Sequence, residues 1–134
     1  MSAFFDIQAI AQNFPDHADT MLIDTRLTDE VEASSRVFRV YTKVPPHYHA
    51  TCDEYLFVVA GRAFFSMGTM APVEVGPGHL VFFKKGIVHA IDPIGSDPLV
   101  FLSVDTPRRD PKDITFVNPA DGTPETFIET RRLY

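Results

Sequence analysis

An all-β domain, folded as a sandwich or a closed barrel, is what this sequence predicts, and three observations carry that expectation. The composition includes 12 Phe and 4 Tyr but no Trp, with 11 Pro and 7 Gly. That mixture suits short strands divided by many turns better than long helices. Runs rich in Val, Phe, Leu and Thr recur at close spacing from residue 21 to residue 105, and many short strands are best freed of exposed edges by closure. Finally, 134 residues with 45% hydrophobic content can bury one core without disulfides, and the single Cys52 could form none within the chain.

The elements follow in chain order. Asp6 stands at an N-cap position before Ile7, Ile10, Ala11 and Phe14, whose spacing of three and four predicts a short amphipathic helix ending at Pro15. Strands are then expected over 21–26, 36–44, 54–60, 62–67, 73–75, 80–83, 88–92 and 99–105. Gly61 lies between two of these runs and closes a tight hairpin, while Gly76-Pro77-Gly78 and Lys85-Gly86 punctuate the next ones. After Thr106 the chain carries Pro107, Pro111, Pro119 and Pro124 and loses its alternation. The expectation is therefore one domain over 1–134, with a barrel core at about 21–105 and a tail over 106–134 strapped across the barrel or a neighbouring subunit.

Charge and hydropathy exclude several roles. The formal net charge is −6, and basic residues cluster no further than pairs such as Lys84-Lys85 and Arg108-Arg109. No basic stripe tracks a phosphate backbone, so nucleic acid is not expected as a partner. The apolar run from Tyr55 to Ala60 is too short to cross a bilayer, and the N-terminus lacks the basic and apolar regions of a secretory signal. A soluble, cytoplasmic protein is expected, and one cysteine suits a reducing compartment.

The chemistry is concentrated in four residues. His47 and His49 are two positions apart, which on a strand turns both imidazoles to one face roughly 6 to 7 Å apart along the chain. Glu54 follows His49 by an odd number of positions, so the chain must turn through Ala50-Thr51-Cys52-Asp53 for its carboxylate to reach the same interior. His89 arrives from a later hairpin. Three imidazoles and one carboxylate form a borderline N/O set suited to iron, manganese, nickel, zinc or copper.

These residues also carry a resemblance. The run from Pro45 to Gly61, with His47, His49, Glu54 and Gly61 in place, resembles the first motif of the cupin family, and the run from Gly78 through Gly86 to His89 resembles the second. The second departs from the family pattern at His79, Lys84 and Pro93, which lie in the turn and at the rim. The resemblance implies a double-stranded β-helix, or jelly roll, with a short N-terminal helix. It also implies one divalent transition-metal ion, of iron, manganese, nickel or zinc, held by His47, His49, Glu54 and His89. A homodimer is expected from the family and from edge strands that need covering.

Other residues are weighed against plainer roles. Arg39 and Tyr41 share the parity of His47 and would face the cavity and a substrate if no bulge intervenes, or face outward if one does. Phe38, Leu56, Val58, Phe82 and Ile91 are expected in the core and cavity wall. Cys52 has no visible activating partner and is expected to be inert. Asp53 is expected to face away, His17 and His79 to sit on the surface and in a turn. Two functions follow: a metal-dependent enzyme, of dioxygenase, isomerase or lyase type, acting on a small polar metabolite, or a non-catalytic module that binds or senses a small molecule. No helix-turn-helix accompanies the barrel to support a regulator.

Overall fold

The structure is a computed structural model and describes residues 2–134. One helical turn and a half, α1 (Ile7–Ala11), precedes the strands, and Asp6 caps it by accepting a hydrogen bond from the Ala9 amide at 3.0 Å. The helix stops short of the expected Pro15. Nine strands follow through residue 106: β1 (Leu22–Asp29), β2 (Ser34–Val40), β3 (Val44–Tyr48), β4 (Asp53–Ala60), β5 (Arg62–Met67), β6 (Val73–Val75), β7 (Leu80–Phe83), β8 (His89–Ile94) and β9 (Leu99–Thr106). The run expected over 36–44 is divided, because the chain bends at Thr42 and Val44 starts a new strand in the opposite sheet.

The tail adds what its composition hid: β10 (Thr115–Phe116), α2 (Pro124–Phe127) and β11 (Ile128–Thr130). The strands form two sheets, ordered β11-β1-β2-β9-β4-β7 and β10-β3-β8-β5-β6. This is the double-stranded β-helix expected from the motifs. β11 pairs in parallel with β1, and β10 pairs antiparallel with β3, setting Phe116 opposite His47. Among the described residues no helix is long and apolar enough to cross a membrane.

Between the sheets lies the main core, including Leu22, Phe38, Leu56, Val58, Phe65, Ile91 and Phe101. A second cluster seats Ile10 and Phe14 on Ile23, Val37, Val59 and Val100, the outward residues of the first sheet. Each such side chain contributes about 1.5–3 kcal/mol when fully buried. Strand alternation then creates the polar end of the barrel. Asp24 shares a face with Leu22, Arg36 with Phe38, Glu54 with Leu56, and Ser103 and Asp105 with Phe101. All five polar residues are buried, and strand register sets Arg36 opposite Ser103 and Glu54 opposite Asp105.

The hairpin at Gly61 has a double reason for glycine. Its φ is +82°, and a Cβ there would lie 2.5 Å from the Pro98 carbonyl oxygen. Phe82 departs from expectation: it is 43% exposed, because on β7 the buried positions are Val81 and Phe83.

Candidate metal centre

His47 lies on β3 and His49 one residue past its end, His89 opens β8, and Glu54 sits near the start of β4. A register irregularity between Val44 and His47 turns the histidine strand so that His47 pairs with His89 across the ladder. The turn of residues 49–52 brings Glu54 back into the interior, and the Gly86 amide ties the next hairpin to the His49 carbonyl at 2.7 Å.

One ring nitrogen from each histidine lies within 4.8 Å of the other two, and all three side chains are buried. Their other nitrogens have fixed duties. Nδ1 of His47 donates to the Pro45 carbonyl at 2.8 Å, Nδ1 of His49 to the Asp113 carbonyl at 2.7 Å, and Nδ1 of His89 to the Ile87 carbonyl at 3.0 Å. A carbonyl can only accept, so each Nδ1 carries a proton and each Nε2 of a neutral ring presents its lone pair inward.

Glu54 closes the arrangement from the first sheet. Its Oε1 lies 3.4 Å from Nε2 of His49 and 4.0 Å from Nε2 of His89. Its Oε2 is turned away and accepts from Arg36 Nη2 at 3.0 Å and from Ser103 Oγ at 2.8 Å. Three ring nitrogens and a carboxylate oxygen thus converge, and among the described residues no other side chain donates into the space between them, so a cation, either a proton on one ring or a metal ion, is what joins them. The space they share with Phe38, Leu56, Ile91 and Phe127 has a volume of about 10 Å³, the scale of an ion.

Burial, the largest influence, together with the neighbouring His89 and His49, holds His47 well below 6.5; burial and His49 likewise bring His89 down to about 4. Both rings are therefore neutral near pH 7. Burial alone would raise Glu54, but contact with His49 and the Arg36 and Arg109 guanidinium groups keeps its carboxyl well below 4.5. Asp105 moves the other way: burial and the Glu54 charge push it up to about 7. Arg36 lies 3.4 Å from Asp24, 3.0 Å from Glu54 and 3.7 Å from Asp105, so three acids share one guanidinium.

Of the two facings left open to Arg39 and Tyr41, the outward one is found. Arg39 and Tyr41 do not face the cavity: Arg39 Nη1 and the Tyr41 hydroxyl both donate to the Pro15 carbonyl, at 3.1 and 2.7 Å, on the outer face against α1. The bend after Val40 and the irregularity before His47 break the parity that linked them, so on β2 the inward residue is Arg36 instead. Cys52 is buried, 4.0 Å from Asp105, and burial pushes its thiol up to about 12, far from a reactive thiolate. Lys84 is exposed beside Asp53 at 3.8 Å, and His79 accepts from the Gly76 amide within its turn.

Sequence reasoning missed Arg36, Ser103, Asp105, Arg109 and Asp113. A usable signal existed for three of them: polar residues in phase with core residues on β2 and β9. Arg109 and Asp113 belong to the tail, where no periodicity points inward.

A protein family described as the cupin domain matches residues 37–105, just over half the chain. No curated protein matches the sequence. Among solved structures, a conserved protein with a double-stranded beta-helix domain from Klebsiella pneumoniae is 20% identical, covering 81% of this chain and 93% of its own, with a TM-score of 0.67. DMSP lyase DddQ from Ruegeria pomeroyi is 27% identical over 67% of this chain and 45% of its own, with a TM-score of 0.58. KdgF from a Halomonas species is 18% identical over 67% of this chain and 83% of its own, with a TM-score of 0.60.

Proposed function

The chain belongs to the cupin domain family, and from that premise we propose that His47, His49, His89 and Glu54 hold one divalent transition-metal ion in a metal-dependent enzyme acting on a small polar metabolite. The observation that carries this reading is the convergence of three Nε2 atoms whose Nδ1 partners are all satisfied by main-chain carbonyls. The donor set suits iron, manganese, nickel or zinc. Such an ion, when bound, supplies Lewis-acid or redox chemistry to a ligand beside it.

The protein's own residues orient and insulate that chemistry. Arg36 and Ser103 hold Glu54 through Oε2 and leave Oε1 for the centre, while Phe116 and Phe127 pack against His47 with ring centroids 5.7 and 5.3 Å away and keep bulk water out. DMSP lyase DddQ makes a lyase one member of the reaction menu; isomerase and dioxygenase chemistry are the others.

The same reading includes a homodimer in the cytoplasm. Tyr55 and Phe57 on β4 pair with Phe82 and Leu80 on the edge strand β7, and all four are exposed on one outer face. A second copy of the chain is the occupant proposed for that face, since an apolar edge strand needs covering. The deciding experiment is elemental analysis of untagged protein purified without added metal, alongside His49→Ala and Glu54→Ala. Near-stoichiometric metal in the parent and its loss in both variants is the expected result. Protein that neither carries nor takes up metal would leave a cupin barrel with a purely structural polar cluster.

A further inference from the structure

Ser34 and Asp105 face each other across the β2–β9 ladder, and just past β9 the strap returns to that pair, where the Arg109 amide donates to Ser34 Oγ at 3.0 Å. The return buries the Arg109 guanidinium: 5% of the residue is exposed, against 1% for Asp105 and 7% for Arg36. Among the described residues five buried side-chain polar atoms have no hydrogen-bond partner, and four of them belong to these three residues: Arg109 Nε and Nη2, Arg36 Nε and Asp105 Oδ2. The three residues line one cavity of about 20 Å³, together with Asp24, Ser34 and Thr130.

Arg36 Nε stands 3.7 Å from Asp105 Oδ2, beyond hydrogen-bond reach. No direct bond joins Arg109 to Asp105 either. Their charges still act on each other, since the rise that burial and Glu54 impose on the Asp105 carboxyl is opposed by Arg36 and Arg109. Buried polar groups of this kind are almost always satisfied, by protein or by ordered water. Three carboxyl groups, of Asp24, Glu54 and Asp105, meet two guanidinium groups at this end of the barrel. An added anion would meet net negative charge, and an added cation would face the N–H edges of both arginines. The unpartnered nitrogens can only donate and the carboxylate oxygen accepts, so the group between them must do both. Water does, and a cavity of about 20 Å³ exceeds the roughly 10–15 Å³ that one water needs.

We propose that one ordered water is bound in this cavity, accepting from Arg109 and Arg36 and donating to Asp105 Oδ2, and that Arg109 is a positioning residue acting through it. Arg36 carries the effect onward, because its Nη2 donates to Glu54 Oε2 at 3.0 Å. A residue of the strap thereby fixes the carboxylate whose Oε1 faces His49 and His89. That second step rests on the metal-site reading; the bound water does not.

A crystal structure of the full chain at atomic resolution is expected to show a water within hydrogen-bond distance of both Arg109 and Asp105. Direct contact between those two side chains, or an anion between them identified by anomalous scattering, overturns the proposal. Zinc affinity, measured by chelator competition on folded protein, tests the positioning role. Arg109→Met keeps the reach of the side chain and removes its donors; a loss of about threefold is expected, less than the roughly 10- to 100-fold typical when a direct partner of a ligand is removed, as in Ser103→Ala. Thr123→Ala uncaps α2 on the same strap without reaching the cavity and should leave the affinity unchanged. An equal loss in Thr123→Ala and Arg109→Met, or none in Arg109→Met, overturns the positioning role. Should Arg109→Met fail to fold, Arg109→Lys takes its place: it keeps the charge without the planar pair of donors, and a loss in the same direction is expected. Protein that holds the water and binds no zinc upholds the water site and removes the metal-centre reading together with the positioning role.

Discussion

Nδ1 of His49 donates to the main-chain carbonyl of Asp113 at 2.7 Å, across 64 residues of sequence. The Asp113 carboxylate in turn accepts from the Ala50 amide at 2.7 Å, the Thr51 amide at 3.0 Å and the Thr51 hydroxyl at 2.6 Å. One residue of the strap therefore orients a candidate ligand with its backbone and clamps the adjoining turn with its side chain.

Asp113→Ala should loosen that clamp without touching the four converging groups. The substitution keeps the carbonyl that orients His49 and removes only the clamp on its turn, so the expected loss in a chelator competition is smaller than the roughly 10- to 100-fold typical when an orienting hydrogen bond is itself removed. Unaltered affinity would mean that the turn holds His49 unaided. The hydrogen bonds from Thr51 and Ala50 outweigh burial and keep the Asp113 carboxyl below its ordinary 3.8. Its contribution to stability is thus complete above that pH and is lost as pH falls through the lower folded value.

Arg36→Leu should be far more damaging. The substitution leaves Asp24, Glu54 and Asp105 buried without their shared cation, and breaking a buried ion pair from one side costs about 3–5 kcal/mol. The urea midpoint is the measurement, and a change comparable to that of an exposed arginine such as Arg132 would show that the acids are neutral in the folded protein.

Acid should act on the metal-free protein through two opposed trends, that of His47 and His89 and that of Asp105. His89 titrates near 4 when folded against an ordinary 6.5, so its contribution is complete above 6.5 and is lost as pH falls toward 4, by about 3 kcal/mol. Asp105 is raised to about 7, so its contribution is complete below 3.8 and disappears as pH rises through 7. His47, also held well below 6.5, adds to the histidine loss in the same range, and in the parent Asp105 offsets part of it between about pH 7 and 4.5. In Asp105→Asn only the histidine trend remains, and urea unfolding should reveal a steeper loss of stability on acidification.

Glycine substitutions separate backbone strain from steric clash. Gly61 and Gly78 have φ of +82° and +88°, but a Cβ at Gly61 meets Pro98 at 2.5 Å while one at Gly78 meets nothing within 4 Å. Gly78→Ala should cost about 1–2 kcal/mol, the penalty of the left-handed conformation alone, and Gly61→Ala clearly more, read as midpoints in urea. Equal costs would mean that the 95–99 segment yields readily.

Charge placed on the outer apolar face should separate the proposed dimer. Phe57 and Phe82 are 39% and 43% exposed and flank the β4–β7 edge. The double variant Phe57→Glu, Phe82→Glu is expected to elute as a monomer with unchanged metal content, by light scattering coupled to chromatography. A parent protein that is itself monomeric at tens of micromolar would remove the dimer from the reading.

Much of this protein was legible in its sequence because the relevant information is local. Alternation set the strands from 62–67 through 99–105, Asp6 marked the helix start, and the spacing of His47, His49, Glu54 and His89 identified residues that the fold does bring together. Turn chemistry at Gly61 and Gly86 is equally a property of single positions. What the sequence could not determine depends on where strands bend and which distant segments meet. A bend at Thr42 and an irregularity before His47 decided between the two facings that parity left open for Arg39 and Tyr41, turning them outward with Arg36 inside. The strap lacks periodicity, so the approach of Asp113 to His49 and of Arg109 to Phe127 was decided only by tertiary packing, which rewards contacts between residues whose separation along the chain carries no pattern.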